Sequence, residues 1–206
     1  MPSSDFASLL LPPHLVANLK DLGYSQMTPI QAQALPAILD GEDVIAQSKT
    51  GSGKTAAFGI GLLTSLNPRF FGVQALVLCP TRELADQVAK ELRRLARSQQ
   101  NIKILTLCGG TAIGPQFNSL EHGAHVIVGT PGRVMKHLDK RSLDLHGLKT
   151  LVLDEADRML DMGFYDQIVE IAQFLPKRRQ TLLFSATYTS EIRGLSQRFQ
   201  QNPREV

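Results

Sequence analysis

The chain has 206 residues, 43% of them hydrophobic and 20% charged, which is the size and composition of a single globular domain. No apolar run approaches the about 18 residues that a membrane-spanning helix needs. The N-terminus lacks a basic segment followed by an apolar run, so we expect no membrane partner, no signal peptide and a cytoplasmic location; the net charge of +3 permits contact with nucleic acid without indicating it.

Short apolar runs alternate with helical patterns along the chain. The spacing of Leu15 and Leu19 predicts a short helix that ends at Gly23, and Thr28 followed by proline is typical of the start of a second. The clearest later helical pattern spans 82–98, where apolar residues recur every three or four positions. Strand-like runs occupy 43–48, 74–79, 103–108, 125–130, 150–154 and 180–185. This alternation predicts one α/β domain with a mostly parallel sheet.

The segment SKTGSGKT, residues 48–55, lies between the first strand-like run and a helical pattern. A P-loop needs glycines where backbone N–H groups wrap phosphate oxygens, a lysine for the β and γ phosphates, and a Ser or Thr hydroxyl for Mg²⁺. Gly53, Lys54 and Thr55 fit this pattern, while Ser48 occupies the position of its first glycine. The predicted nucleotide-binding loop comprises Ser48, Lys49, Thr50, Gly51, Ser52, Gly53, Lys54 and Thr55.

Acidic residues end another buried strand in TLVLDEAD, residues 150–157. Asp154 would hold Mg²⁺, mainly through water, because a hard cation prefers carboxylate oxygen. Glu155 would then polarise the attacking water. Alternatively, Asp154 caps the following helix. The phosphate loop favours the metal role, so the predicted catalytic residues are Lys54, Thr55, Asp154 and Glu155, with Thr55 and Asp154 as the Mg²⁺ ligands.

Seven short motifs occur in the order found in DEAD-box ATP-dependent RNA helicases. They are TPIQ (28–31), SKTGSGKT (48–55), PTRELA (80–85), GG (109–110), TPGR (130–133), DEAD (154–157) and SAT (185–187). The chain resembles the N-terminal RecA-like domain of that family, most closely its bacterial DbpA branch. The resemblance implies a three-layer α/β, RecA-like P-loop NTPase fold with a mostly parallel central sheet over residues 1–206. Residues 1–40 would form an adenine-reading segment and residues 41–206 the P-loop core, with ATP and Mg²⁺ as cofactors.

The resemblance also implies RNA-stimulated ATP hydrolysis coupled to local unwinding of RNA duplexes, with ribosomal RNA as the partner and large ribosomal subunit assembly as the process. The family uses a second RecA-like domain that supplies arginine fingers, and the DbpA branch adds a C-terminal RNA-binding domain. We expect neither in this chain, which should be a monomer that works with the second domain of its parent. Losing an arginine finger costs about 10³–10⁵ in rate, so we expect weak nucleotide binding and slow turnover. The alternatives are an ATP-gated RNA clamp that does not unwind and a DNA-directed P-loop ATPase.

Adenine recognition is expected from the TPIQ motif and an aromatic residue upstream of it. Thr28 and Gln31 have the T-x-x-Q spacing of a capping box, in which the glutamine side chain binds the N-cap amide. The Gln31 amide could equally pair with adenine N6 and N7. Phe6 lies 17 residues before Gly23, the spacing at which the family carries an aromatic that stacks on adenine; its alternative role is a hydrophobic anchor.

The remaining motifs imply an RNA-binding surface that follows the RNA backbone. Its candidate residues are Pro80, Thr81, Arg82, Gly109, Gly110, Thr130, Pro131, Gly132 and Arg133. All fall where predicted elements end or start, and such positions share one rim of a parallel sheet. Glycines and helix N-termini admit phosphates, and the two arginines add charge-assisted bonds. Each position also has an ordinary explanation as a turn, a helix start or a surface charge.

The SAT motif is implied to couple the nucleotide to domain closure. Ser185 and Thr187 follow a buried strand, from which their hydroxyls could bind a DEAD carboxylate, Asp157 in particular. The alternative is that they cap the next helix.

Overall fold

The computed structural model describes residues 5–206, which form one sheet flanked by helices. Its strands are β1 (Val44–Gln47), β2 (Ala75–Leu78), β3 (Ile104–Leu107), β4 (Val126–Gly129), β5 (Thr150–Leu153), β6 (Gln180–Ser185) and β7 (Arg204–Glu205). Its α-helices are α1 (Pro13–Asp21), α2 (Pro29–Leu39), α3 (Lys54–Ser65), α4 (Arg82–Leu95), α5 (Gly114–Glu121), α6 (Pro131–Asp139), α7 (Ala156–Asp161), α8 (Tyr165–Ala172) and α9 (Ser190–Phe199). Among these described helices, none is long and apolar enough to cross a bilayer.

The sheet has the strand order β3-β4-β2-β5-β6-β1-β7, and every paired strand runs parallel to its neighbour. Each of the six predicted strand-like runs contains one of β1 to β6. The predicted α/β fold with a mostly parallel sheet is therefore confirmed. The two-residue strand β7 was not predicted, because it is exposed and has no apolar pattern.

Helices cover both faces of the sheet and bury the central strands completely. Side chains alternate between faces along a strand, so Ala75 and Val77 of β2 pack with α2, α3 and α4, while Leu76 and Leu78 pack with α6, α8 and α9. Burial on both faces is why these strands are continuously apolar. Because β1 to β6 all run parallel, their carboxyl ends lie along one rim of the sheet.

The close packing of α2 against α3 depends on Gly61. A Cβ at this position would overlap Cγ2 of Ile38 on α2, and overpacking of a core typically costs about 1–3 kcal/mol. We expect Gly61→Ala to lower the free energy of unfolding by that amount in a chemical denaturation experiment. The matched control is Gly194→Ala on the exposed side of α9, where an added Cβ would meet no described atom within 4 Å apart from its chain neighbours and the backbone of its own helix.

In that control the substitution should stabilise the chain by about 0.5–1 kcal/mol, because alanine has the higher helix propensity. Equal effects of the two substitutions would contradict the close approach of α2 and α3.

Candidate functional site

The segment between β1 and α3 forms a loop in which glycine conformation is required. Gly51 and Gly53 have φ values of 82° and 92°, in the left-handed region that favours glycine. Lys54 and Thr55 are the first residues of α3, so their backbone N–H groups lie at a helix N-terminus, where anions bind. A cavity of about 360 Å³ adjoins the loop and α4. Loop, helix and cavity together have the geometry that a nucleotide phosphate requires.

Lys54 joins the loop to the acidic residues that follow β5. Its Nζ atom lies 2.8 Å from Oδ1 of Asp154 and 3.4 Å from Oε1 of Glu155. Thr50 donates a hydrogen bond of 2.9 Å to the same Glu155 oxygen. Burial raises the pKa of Asp154 above its usual range, and the Lys54 ammonium opposes that rise. Lys54 therefore brings the loop and the acidic strand end together through its contacts with both carboxylates.

The turn between β5 and α7 directs the acidic side chains toward this loop. Glu155 has φ of 52°, a left-handed conformation that non-glycine residues adopt rarely and mostly at functional sites. Its Oε2 atom lies 3.5 Å from the Arg158 guanidinium. Asp154 is fully buried, and the residue at the cap of α7 is Glu155, without a side-chain capping bond. The alternative that Asp154 caps the helix is thus not observed.

A buried carboxylate oxygen at the end of β5 fits a hard cation. Oδ2 of Asp154 is buried, and no hydrogen-bond partner for it occurs in the described chain. Residues 5–206 contain no group of three or more acidic, histidine or cysteine side chains that could enclose a metal. One available carboxylate suits Mg²⁺, which is usually held by one or two carboxylates together with substrate phosphates and water.

Gln31 lies between the N-terminus of α2 and the phosphate loop. Its Oε1 atom accepts a hydrogen bond of 2.9 Å from the Thr28 backbone N–H, as the capping-box alternative requires. Its Nε2 atom donates to the Gly53 carbonyl at 3.0 Å. A primary amide has two donor hydrogens and two acceptor lone pairs, so one of each remains for a base. The capping and base-recognition roles are therefore compatible, and Gln31 borders the cavity.

The aromatic ring beside this cavity is Tyr24, which the sequence analysis did not identify. Tyr24 borders the cavity, and its hydroxyl donates to Oε1 of Glu91 on α4. Phe6, the predicted stacking residue, is 4% exposed and packs edge-on against Tyr24, with ring centroids 6.1 Å apart. Phe6 therefore occupies the core, in agreement with its alternative role as an anchor. Only Tyr24 of these two rings is placed to contact a base.

The predicted RNA-binding residues fall on three neighbouring strand ends. Pro80 follows β2, Gly109 follows β3 and Thr130 follows β4, and the strand order places β4 between β3 and β2. Thr81 accepts a hydrogen bond of 3.3 Å from the Leu84 backbone and so caps α4. The structure thus brings the motifs together on the rim, while some of their residues also hold local structure.

The two arginines of this rim differ in their surroundings. The Arg82 side chain is 49% exposed, with Nε 3.7 Å from the Asp86 carboxylate. Arg133 donates to the Thr111 carbonyl at 2.9 Å and to Oε1 of Gln116 at 3.1 Å. Arg133 therefore stabilises the loop that contains the GG motif, and Arg82 is the arginine better placed to meet a phosphate.

Gln116 and His137 support the rim from below, and neither was identified from the sequence. Gln116 donates to the Cys108 carbonyl, and its Oε1 atom lies 2.8 Å from Nε2 of His137. Nδ1 of His137 lies 2.8 Å from the Ser142 hydroxyl. Burial, with a smaller effect from Arg133, lowers the pKa of His137 to about 4, so the ring is neutral near pH 7. These contacts join residues distant in sequence, which no local motif encodes.

The SAT motif reaches the DEAD motif through one of its two hydroxyls. Thr187 donates to Oδ2 of Asp157 at 3.3 Å, as predicted. Ser185 is buried and accepts from the Thr187 backbone N–H at 3.4 Å, instead of binding a DEAD carboxylate. Thr189 caps α9 by accepting a hydrogen bond from the Ile192 backbone N–H. The alternative that Ser185 or Thr187 caps this helix is therefore not observed.

Comparisons with known proteins agree with these observations. The DEAD/DEAH box helicase family model matches residues 28–195. The chain is 61% identical over 197 residues to the ATP-dependent RNA helicase DbpA of Escherichia coli, covering 96% of this chain and 43% of that protein. It is 44% identical over 201 residues to the DEAD-box ATP-dependent RNA helicase CshA of Bacillus subtilis, covering 98% of this chain and 40% of that protein.

The crystal structure of a DEAD box protein from the hyperthermophile Methanococcus jannaschii has the same fold. It superimposes with a TM-score of 0.93 at 39% identity, covering 98% of this chain and 55% of that one. The chain therefore spans about half or less of the proteins that it matches. By its motifs, its fold and these similarities, the chain belongs to the DEAD/DEAH box helicase family.

Proposed function

We propose that this chain is the N-terminal RecA-like domain of an ATP-dependent RNA helicase. In that helicase, the domain would bind ATP at one site and RNA along one of its surfaces. The observation that carries this proposal is the contact of Lys54 with both Asp154 and Glu155 beside a phosphate loop that Gln31 also contacts. Phosphate binding, water activation and base recognition would then share one site. Residues 1–40 serve as the adenine-reading segment and 41–206 as the P-loop core, although residues 1–4 lie outside the described part.

In the proposed mechanism, Lys54 exchanges its carboxylate partners for the β and γ phosphates of ATP. The N–H groups at the start of α3 bind phosphate oxygens, and Gln31 with Tyr24 orients the adenine. Glu155 accepts a hydrogen bond from the attacking water and orients it toward the γ phosphate. When bound, Mg²⁺ neutralises phosphate charge, and Thr55 and Asp154 would hold it, mainly through water.

RNA binds along the rim formed by the ends of β3, β4 and β2. Contacts there go to the sugar–phosphate backbone, so they depend little on base identity. The Thr187–Asp157 hydrogen bond joins the segment after β6, which carries SAT, to the helix that follows the catalytic acids. Through this bond, a change at the nucleotide site would alter the position of the SAT segment and so promote domain closure. Ribosomal RNA as the target, a second RecA-like domain as partner, a monomeric state and a cytoplasmic location rest on the resemblance to the DbpA branch.

RNA binding is tested by removing the exposed charge on the rim. We expect Arg82→Ala to weaken binding of a single-stranded RNA at low salt, measured by fluorescence anisotropy. The slope of log affinity against log salt should fall by about 0.7, because one phosphate contact with a single strand is lost. Nucleotide affinity should not change.

The matched control is Arg198→Ala, which removes an exposed arginine of α9. Equal losses in the two variants would contradict the rim assignment. Tighter binding of DNA than RNA of the same sequence would favour the DNA-directed ATPase.

A further inference from the structure

Lys and Arg residues cluster in the loops at the amino ends of β2, β5 and β6, and none of them has a role in the proposed ATP or RNA sites. The loops that precede these strands, 66–74, 140–149 and 173–179, contain seven Lys and Arg but a single acidic residue. The whole chain has 22 Lys and Arg against 19 acidic residues, so the remainder of the chain is net negative. The exposed cations are Arg69, Lys140, Arg141, Lys149, Lys177 and Arg178. This charge lies on the edge of the sheet opposite to the rim.

The three loops form a continuous surface. β5 pairs with β2 on one side and β6 on the other. The Lys149 backbone donates to the Gln74 carbonyl, and the Gln180 backbone donates to the Lys149 carbonyl. Neighbouring strands lie about 4.8 Å apart, so the cations of adjacent loops lie close enough to contact one polyanion.

The acidic residues near these loops do not cancel the charge. The one acidic residue within them, Asp144, lies 2.5 Å from Nδ1 of His146 and accepts from its backbone N–H. These hydrogen bonds with His146 lower the pKa of Asp144. Asp139 ends α6 immediately before the second loop, and Asp40, Glu42 and Asp43 precede β1, the neighbour of β6. Glu42 pairs with Arg204, and the Asp43 carboxylate accepts from the backbone N–H groups of Thr181 and Gln201. Arg179 is turned inward and donates to the Pro176 carbonyl. Six exposed cations thus remain.

An aromatic ring lies among these cations. Phe70 is 48% exposed, and the outer edge of its ring packs against two glycines. A Cβ at Gly147 would come within 2.7 Å of Cε1 of that ring, and a Cβ at Gly72 would overlap it. The outer edge of the ring is therefore fixed by these glycines, while about half of the residue remains exposed to solvent. Phe71 and Phe174, in the first and third loops, are 49% and 43% exposed.

From this arrangement we infer that the amino edge of the sheet, formed by loops 66–74, 140–149 and 173–179, is a second binding surface for single-stranded RNA. Aromatic rings that stack with bases, set among cations that contact phosphates, are how proteins bind single strands without sequence preference. The inference rests on the proposed function for its choice of RNA as the polyanion. The surface would hold the strand that flanks the segment bound at the rim.

An anionic membrane is the other polyanion that such a surface could meet. Interfacial membrane binding usually uses an amphipathic helix whose apolar face enters the bilayer. Here the aromatic residues lie on short loops outside the helices, and the outer edge of the Phe70 ring packs against Gly72 and Gly147 instead of projecting as a membrane anchor would.

The test uses a fluorescein-labelled 12-nucleotide single-stranded RNA of mixed sequence, with anisotropy measured at several salt concentrations. The charge variant is Lys177→Gln with Arg178→Gln. Its matched control is Lys90→Gln on α4 with Arg97→Gln on the 3-10 turn that follows α4, where the same number of exposed charges is removed. We expect the charge variant to reduce the salt slope by about 1.4, as two single-strand contacts are lost, and the control to leave it unchanged.

The stacking variant is Phe70→Leu, which keeps an apolar side chain but removes the aromatic face. We expect it to weaken RNA binding by about fivefold or more without changing the midpoint of chemical denaturation. Wild-type affinity in both variants, or an equal loss in the α4 control, would overturn the inference. Loss of binding to phosphatidylserine vesicles with unchanged RNA affinity would overturn it in favour of a membrane.

The Arg82→Ala variant separates this inference from the proposed function. If Arg82→Ala weakens RNA binding and the amino-edge variants do not, the rim assignment stands and the second surface is wrong. If only the amino-edge variants weaken binding, the second surface stands and the rim assignment fails.

Discussion

Lys54→Ala is expected to lower the free energy of unfolding by about 3–5 kcal/mol, because removing one partner of a buried ion pair leaves the other charge buried and uncompensated. Asp154 is fully buried, and Lys54 is its partner at 2.8 Å. The same substitution should also weaken ATP binding about 10- to 100-fold, since it removes a charge-assisted hydrogen bond to phosphate. Urea denaturation and calorimetric titration measure the two effects separately.

The double variant Lys54→Ala with Asp154→Asn serves as the control. Replacing the carboxylate with a neutral amide removes the buried charge, so most of the lost stability should return. Nucleotide binding should stay weak, because the phosphates still lack the lysine. If Lys54→Ala is as stable as the unmodified chain, or if the double variant is no more stable than Lys54→Ala, the buried pair does not have the assigned energetics.

Glu155→Gln is expected to slow ATP hydrolysis by about 10²–10⁴-fold, the usual contribution of a positioned general base. The amide keeps the shape of the side chain and can still accept a hydrogen bond from Thr50, so nucleotide affinity should hardly change. Because slow turnover is expected of this chain, hydrolysis is best followed in a single turnover, with protein in excess over ATP and RNA present.

A matched control is Asp166→Asn, which neutralises an exposed carboxylate in the first turn of α8. It should hydrolyse ATP at the unmodified rate. Equal rates for Glu155→Gln and the unmodified chain would remove Glu155 from the chemistry. A loss of affinity that matches the loss of rate would make it a binding residue instead.

The fold and the phosphate site followed from the sequence because their signals are local. Strands β1 to β6 are buried, so each is an apolar run of the right length. The loop of residues 48–55 and the DEAD motif each follow such a strand, and parallel strands present their carboxyl ends on one rim. Identifying both strands therefore placed Lys54 and Asp154 on the same rim, while their contact depends on the strand order, in which only β6 separates β1 from β5.

Other features could not be predicted because they depend on contacts between distant residues. Phe6 and Tyr24 touch each other, and spacing along the chain does not indicate which of the two rings meets the cavity. Arg133 is a predicted RNA-binding residue, and its hydrogen-bond partners Thr111 and Gln116 belong to the loop and helix after β3, which its own motif does not indicate. The local sequence pattern predicts that this arginine lies at the start of a helix, but it does not indicate which distant carbonyl its guanidinium will contact.

Calorimetric titration of ADP, ATP and GTP with Mg²⁺, into the unmodified chain and Gln31→Ala, tests the central claim most directly. A bidentate amide–adenine pair is worth about 1–3 kcal/mol of discrimination, so ATP should bind about 5- to 150-fold more tightly than GTP. That preference should vanish in Gln31→Ala and persist in Gln33→Ala, which changes an exposed glutamine of the same helix. If the chain binds both nucleotides equally, or Gln31→Ala keeps the preference, Gln31 only caps α2 and the chain is a P-loop domain that does not recognise adenine through it.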